Sequence, residues 1–305
     1  MKEVLVIIII FGTCLACHTK QELEEAKAPF EYAENIKFNH LYVVIDDSTY
    51  KYLFDSIPFF REFAYVEEAD VDAGKESWSG KYISGNQDYL EIFKPGGAEG
   101  AELGDFGIAF MPNKMGTVDS LYSFLDTGAD SIRRKVQTMA MGEGKTIPWF
   151  NAVAIYDPDS LAITPWVMEY TDTFMRMAGF TEEDLAREIS HAEYTQRSVA
   201  TRNNLPFDSA NYRRLYERVA ALTLELSSAE YNYFRKYLET FGFTESDSAF
   251  TRPDLVIYYQ LNEGRHAILD QIDFELRKEV EEQSYAVGKI KVSATGRSAS
   301  IILNE

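Results

Sequence analysis

Residues 38–47 read FNHLYVVIDD, and the fold that the sequence predicts starts from this stretch. Apolar and polar residues alternate up to an acidic end, which is typical of a β-strand with one covered face. The following residues, STYKYLFDSIPFFREFA (48–64), have the apolar spacing of an amphipathic helix. The folded part of the chain is therefore predicted to open with a strand that leads directly into a helix.

The histidine in this strand has a predictable orientation. Alternation puts His40 on the same face as Tyr42, whereas Leu41 and Val43 take the other face. The second face is the more continuously apolar one, so we expect it to meet the helices. His40 should then face a concave, open side of the sheet.

Composition excludes several classes of partner. The chain has 305 residues, of which 46% are hydrophobic, so it can bury a substantial core. Its formal net charge is −19, with a pI near 4.7. Charge of this sign argues against nucleic acid, or an anionic membrane surface, as the partner of the folded part.

The N-terminus, MKEVLVIIIIFGTCLACHTK (1–20), indicates export. Its apolar run at 4–11 is too short to span a bilayer and is typical of a signal peptide. Ala16-Cys17 resembles the cleavage point of a bacterial lipoprotein signal, although Cys14 stands where such signals usually hold Leu. The resemblance implies a signal peptide at 1–16, lipidation of Cys17, a polar tether at 17–35, and a location in the bacterial cell envelope facing the periplasm or exterior. An ordinary cleaved signal peptide and a short anchor are the alternatives.

The chain then repeats one pattern. After the opening strand and helix, strands are predicted at 65–73, 77–84 and 89–95. A second cycle starts with a strand at 105–113 and a helical pattern at 118–136, followed by strands at 149–156 and 163–171. Two strand-helix-strands cycles in succession predict an α+β fold.

The C-terminal part predicts a third cycle. Polar helical patterns at 175–218 are typical of a linker. AALTLEL (220–226) then alternates as a strand and an amphipathic helix follows, with strand candidates at 255–262, 268–277 and 288–305. This part is interpreted as a divergent third module at 219–305, and we expect it to pack on the first domain because its sheet has one apolar face to cover.

The two cycles resemble the paired βαβββ modules of the vicinal oxygen chelate superfamily, which includes glyoxalases, extradiol dioxygenases and bleomycin resistance proteins. The matching pieces are NHLYVVIDD, YLEIFKP, GIAFMPN, WFNAVAIYDPDS and PWVMEYT, in that order. The resemblance implies a glyoxalase-like domain at 36–174, with modules at 36–95 and 105–172 forming a cupped mixed sheet. The resemblance extends to a glyoxalase-like branch of bacterial lipoproteins to which no activity is attached.

The resemblance also implies a site. In the superfamily, His and Glu side chains at equivalent strand positions hold a metal and leave open positions for a substrate's oxygens. Carried over by position, His40, Glu91 and Glu169 are the candidate ligands, while Gly107 stands where the second module usually has His. One imidazole and two carboxylates would favour Mn²⁺, Mg²⁺ or Ca²⁺ over Zn²⁺.

Other interpretations of these residues remain open. His40 is also suited to a metal-free pocket or to the core, and the faces that carry Glu91 and Glu169 could be solvent faces. If both carboxylates point inward they need a cation, a proton or an Arg side chain. His191 lies in a polar helical pattern and is expected at the surface.

Aromatic residues at strand spacing suggest what a cup would bind. Tyr42 and Tyr89 share the predicted concave face with His40 and Glu91. Trp78, Trp149 and Trp166 also lie in predicted strands, so a planar or hydrophobic small molecule is the expected ligand. The function hypotheses are therefore a lipid-anchored small-molecule binding protein, a metal-dependent lyase, isomerase or dioxygenase, and a non-catalytic structural surface module. Phosphate-loop and HExxH motifs do not occur in the sequence, and its one Cys-x-x-Cys spacing, from Cys14 to Cys17, lies at the lipoprotein signal.

Overall fold

The computed structural model describes residues 30–73, 76–125, 132–155, 163–191, 193–194, 196–197, 214–263 and 266–303. The predicted signal peptide and the lipidation site at Cys17 lie outside these residues. In the described ranges, no helix is both long enough and apolar enough to cross a bilayer.

The first module contains β1 (Ile36–Val44), α1 (Asp47–Ser56), α2 (Phe60–Phe63), β2 (Tyr65–Asp72), β3 (Ser77–Ser84) and β4 (Tyr89–Phe93). The second contains β5 (Phe106–Pro112), α3 (Thr117–Leu125), β6 (Ile132–Ala140), β7 (Thr146–Ile155) and β8 (Ile163–Tyr170), and α4 (Asp172–Met177) and α5 (Glu182–Leu185) follow it. The C-terminal part contains β9 (Tyr216–Leu226), α6 (Ser228–Thr240), β10 (Thr244–Ser246), β11 (Ala249–Arg252), β12 (Leu255–Leu261), β13 (Ile268–Val287) and β14 (Ile290–Ile302).

The strand order confirms the predicted fold class. One eight-stranded sheet has the order β2-β3-β4-β1-β5-β8-β7-β6, so two copies of the same module meet along β1 and β5. In each copy the first strand runs parallel to the last, as β1 pairs with β4 and β5 pairs with β8, whereas β1 and β5 are antiparallel. This is the paired βαβββ arrangement of a glyoxalase-like sheet.

The strand-to-helix turn is fixed by local capping. At the end of the opening stretch, Asp46 is the N-cap of α1, and its carboxylate accepts from the backbone N–H groups of Ser48 and Thr49. In the third cycle, Ser227 and Glu230 form a capping box at the start of α6. The acidic or hydroxyl residue after each strand therefore ends the strand and begins the helix.

The predicted helix at 118–136 is wrong in extent, and the strand predicted at 268–277 continues to Val287. The helical pattern at 118–136 was expected to form a single helix, but α3 ends at Leu125 and residues 132–140 form β6. Strand β6 pairs antiparallel with β7 and is the edge strand of the large sheet. An edge strand can keep polar residues such as Arg133 and Lys135 exposed, so it lacks the apolar alternation that marks inner strands.

The third module repeats the topology and adds a hairpin. Its sheet has the order β10-β11-β12-β9-β13-β14, and β9 runs parallel to β12. Strand β13 pairs antiparallel with β9, as β5 does with β1, so the long β13–β14 hairpin takes the place of a second module. The hairpin turn rests on α1, where a Cβ added to Gly288 (φ +57°) would lie 1.9 Å from Thr49 Oγ1.

The third module packs on the helix-covered face of the large sheet. A single apolar core joins the outer faces of β1 and β5 to α6 and β9, and the rings of Phe110 and Phe241 lie 5.1 Å apart within it. The turn between β3 and β4 contributes a buried carboxyl, Asp88, which accepts from the Tyr216 hydroxyl and, at 3.0 and 3.1 Å, from Val219 N. Residues 30–35, in the predicted tether, also join this packing, because Phe30 N donates to Thr240 O at 3.2 Å.

Candidate functional site: an aromatic cup in the large sheet

The concave face of the eight-stranded sheet encloses a cavity of about 1020 Å³. Inward-facing residues come from strands of both modules, and residues of α4 together with His191 and Tyr194 also line the cavity. All three tryptophans of the chain, Trp78, Trp149 and Trp166, line it. The cavity walls are mainly aromatic and apolar, as in most small-molecule sites.

The two outer edges of the sheet approach each other above the cavity. The rings of Trp78 on β3 and Trp149 on β7 are stacked at 5.8 Å and are tilted by only 8°. Thr138 Oγ1 donates to Ala73 O at 3.0 Å, and Lys135 forms an ion pair with Glu76. These contacts join the first and second modules at their outer strands, so the cup is nearly a closed barrel at this end.

His40 lies on the cavity side of β1, as the alternation predicts. Its ring stacks on Tyr89 at 4.4 Å and meets Trp166 edge-on at 5.1 Å. The ring of His191 also stacks on Tyr89, at 5.1 Å. His40 is 3% exposed and His191 is 7% exposed, so two buried imidazoles stack on one phenol ring.

Asn39 connects the two histidines. It occupies an irregularity in the pairing of β1 with β5, which turns its side chain to the same side as His40. His40 Nδ1 and Asn39 Oδ1 are 2.7 Å apart, and Asn39 Nδ2 and His191 Nδ1 are 3.5 Å apart. With this amide orientation, His40 carries its proton on Nδ1 and its Nε2 is an acceptor.

Both imidazoles are neutral at ordinary pH. Burial lowers the pKa of His40 to about 3, and the nearby His191 lowers it further. Burial also lowers the pKa of His191 to about 4. The pair therefore offers uncharged hydrogen-bonding groups within the pH range of most cells.

Glu91 and Tyr42 also face the cavity, and they lie opposite each other on β4 and β1. Burial raises the pKa of the Glu91 carboxyl to about 8, while a hydrogen bond from Tyr89 lowers it. Four of the five predicted ligand-binding residues, namely His40, Tyr42, Tyr89 and Glu91, are thus brought together on one concave surface.

Glu169 is not brought to this surface, and its expected place in the cup needs correction. On β8 the residues that line the cavity are Trp166, Met168 and Tyr170, so Glu169 points to the other face. Its carboxylate accepts from the backbone N–H groups of Gly116, Thr117 and Val118 at 2.8, 2.9 and 3.2 Å. Glu169 therefore caps the first turn of α3 from a distant strand, and burial raises its pKa despite these hydrogen bonds.

The second module also lacks the matching ligand position. In the first module Glu91 pairs with Tyr42, two residues after His40. At the corresponding place in the second module, two residues after Gly107, Ala109 pairs with Trp166. An indole therefore occupies the position where a carboxylate was expected.

These positions decide whether a metal fits. His40 and Glu91 are the two predicted ligands that remain at the cavity, and His40 Nδ1 is already used by Asn39. Across the part of the chain that the structure describes, no group of three or more His, Cys, Asp or Glu side chains is arranged to hold a metal ion. The donor set does not fit a resident divalent metal, because such ions take four or more ligands and two protein donors leave most positions open.

The burial of His191 was missed at the sequence level. It was expected on a polar surface helix, but it lines the cavity beside Tyr194. Polar residues near it in sequence form surface ion pairs, since Arg187 bridges Asp184 and Glu193. The burial of His191 depends on contacts with residues that are distant in sequence, such as Tyr89. The local spacing of apolar residues does not show these contacts.

The connectivity of the strands defines a glyoxalase-like fold with an added C-terminal module. The chain belongs to a family of unknown function (DUF5829), whose family model matches residues 38–302. No curated protein matches the sequence.

Two solved structures are similar at low identity. One is an extradiol ring-cleaving dioxygenase from B. fuscum, with 15% identity, a TM-score of 0.38, and coverage of 77% of this chain and 55% of that one. The other is a xylose isomerase-like TIM barrel/4-hydroxyphenylpyruvate dioxygenase fusion protein, with 12% identity, a TM-score of 0.44, and coverage of 79% and 36%. The chain thus spans about half or less of these proteins.

Proposed function

We propose that this protein binds a small, largely apolar molecule in the cup of its paired-module sheet, without a resident metal. The observation that carries this proposal is the cavity of about 1020 Å³ with aromatic walls. Small-molecule sites commonly have volumes of roughly 300–1000 Å³ and a few polar groups among apolar ones. The cavity has both features.

The polar groups at its base suit orientation of a ligand. His40 presents an acceptor at Nε2, and its ring is held on one side by Tyr89 and on another by Trp166. Because these neighbours fix the ring before a ligand arrives, little side-chain entropy is lost on binding. Glu91, with its raised pKa, is the second polar anchor.

The location of this site in the cell is part of the proposal. Cleavage after Ala16 and lipidation of Cys17 would place the cup outside the cytoplasm, held to a membrane by acyl chains. The support for this is the composition of residues 1–17. A binding protein in that place would capture its ligand from the envelope or the surroundings.

The test uses N-phenyl-1-naphthylamine, a neutral dye that fluoresces in apolar sites. Because all three tryptophans line the cavity, excitation of tryptophan should give energy transfer to bound dye. Ala152→Phe places a ring inside the cup, so it should weaken dye binding by at least about tenfold, or about 1.4 kcal/mol. Glu68→Phe introduces the same ring at an exposed position that does not line the cavity and is the control.

The proposal is abandoned if the full-length chain does not bind the dye. It is also abandoned if Ala152→Phe binds the dye as well as the unmodified chain while its melting temperature is unchanged. Loss of binding in Ala152→Phe, with retention in Glu68→Phe, places the dye in the cup.

A further inference from the structure

The charged residues that line the cavity are mostly acidic. Among the described residues that line the cavity, seven are Asp or Glu and one, Lys135, is basic. In the whole chain the numbers are 49 acidic and 30 basic residues, so the cavity is more acidic than the composition requires. Lys135 is already paired with Glu76. A concave site with walls of one charge concentrates ligands of the opposite charge.

Two of these carboxyls lie within the cup. The strand register places Glu67 opposite Tyr82, and Tyr82 opposite Glu91, on three successive strands. Neighbouring strands are about 4.8 Å apart, so the backbones of the two glutamates are about 10 Å apart, with the Tyr82 ring between them. A bulky cation spans this separation more readily than a bare metal ion, whose bonds to oxygen are only about 2.0–2.6 Å long.

Aromatic rings surround the same position. Tyr42 lies opposite Glu91, and its ring centre is 5.9 Å from that of Trp166 and 6.0 Å from that of Phe93. Aromatic faces attract cations through their quadrupole, and the attraction grows when the cation is shielded from water. Carboxylates and aromatic faces together are the groups that recognise amines and quaternary ammonium ions.

We propose that the ligand is a lipophilic organic cation, with an amine or quaternary ammonium group near Glu67 and Glu91 and an apolar body against Trp78 and Trp149. This inference rests on the proposed function, because it names the chemical class that the cup selects. Neutral molecules of the same shape gain only the apolar contacts. Anions are disfavoured by the charge on the walls.

The test compares two molecules of the same shape. Benzyltrimethylammonium and neopentylbenzene differ only in a charged nitrogen that replaces a carbon. Binding of each to the full-length chain is followed directly by tryptophan fluorescence, since all three tryptophans line the cavity. We expect the cation to bind at least about tenfold more tightly, which corresponds to one or two cation–π contacts and a partly screened charge pair.

Single glutamate substitutions locate the interaction. At pH 9, where the Glu91 carboxyl with its pKa of about 8 is ionised, Glu67→Gln and Glu91→Gln should each weaken benzyltrimethylammonium binding by about three- to tenfold and leave neopentylbenzene binding unchanged. Glu68→Gln is the matched control, because it removes the same charge from the residue next to Glu67 but outside the cavity lining. It should change neither affinity.

Each outcome decides between the proposals. Equal affinity for the two molecules overturns the cation inference and leaves the proposed binding function intact. The cation inference is also overturned if the preference for the cation survives both Glu67→Gln and Glu91→Gln. It is overturned as well if Glu68→Gln reduces this preference as much as they do, since the charge effect is then not local. If neither molecule binds but the neutral dye does, the cation inference fails alone, and if nothing binds, both proposals fail.

Discussion

Replacing Glu169 separates a structural role from a role in the cup. Its carboxylate accepts from the N–H groups of Gly116, Thr117 and Val118, at the start of α3. Thr117 and Val118 are buried, with exposures of 6% and 1%, so water cannot replace the lost acceptor there. Gly116 is exposed and can be hydrated.

The magnitude follows from these two buried donors. Each buried N–H without an acceptor costs about 1–3 kcal/mol, so Glu169→Ala should lower the free energy of unfolding by about 2–6 kcal/mol. Glu169→Gln keeps one carbonyl oxygen as acceptor and should cost about 1–2 kcal/mol. Both values are measured by urea denaturation followed by circular dichroism.

A second measurement on the same variants tests the correction to the site. Because Glu169 points away from the cavity, the folded Glu169→Gln protein should bind the naphthylamine dye and benzyltrimethylammonium with unchanged affinity. The reciprocal control is Glu91→Gln, which should weaken cation binding at pH 9, where the Glu91 carboxyl is ionised, without lowering the free energy of unfolding. The reasoning is refuted if Glu169→Gln is as stable as the unmodified chain but has lost ligand binding, or if Mn²⁺ raises the melting temperature in a way that depends on Glu169.

Three further substitutions or truncations test other parts of the structure. Cys17→Ser should release the protein from the membrane fraction or leave its precursor uncleaved, and Cys14→Ser should do neither; membrane attachment and processing that are unaffected by Cys17→Ser would contradict lipidation. Burial raises the pKa of Asp88 from 3.8 to about 7 despite hydrogen bonds from Tyr216 and Val219. Between these pH values the folded state therefore binds more protons than the unfolded state. The free energy of unfolding should fall by about 4 kcal/mol as the pH rises through that window. Asp88→Asn should remove this slope, and an identical pH profile for the variant would show that Asp88 is not its source. Truncation before Val219 should expose the core surface around Phe110 and give an aggregating or less stable product, whereas a monomer with unchanged melting would indicate that the C-terminal module is independent.

The strand faces and helix starts that the sequence predicted correctly depend on regular features of nearby residues. The side-chain period of a strand is two, so the faces of His40, Tyr42 and Glu91 follow from residues a few positions away. The helix starts at Asp46 and Ser227 follow in the same way from capping chemistry. Repetition of one pattern of strands and helices was enough to predict the paired modules and the third cycle.

Tertiary structure alone decided the rest, because it depends on contacts between distant residues. Strand alternation leaves two faces for Glu169, and the choice is made by the amides of α3, which lie more than 50 residues earlier in the chain. The segment around His191 has a polar sequence, yet His191 is buried because its ring lines the cavity and stacks on Tyr89. The sequence determines which side chains can share a face, since backbone geometry fixes that locally, but which face becomes the wall of a cavity is decided only when the two modules close on each other.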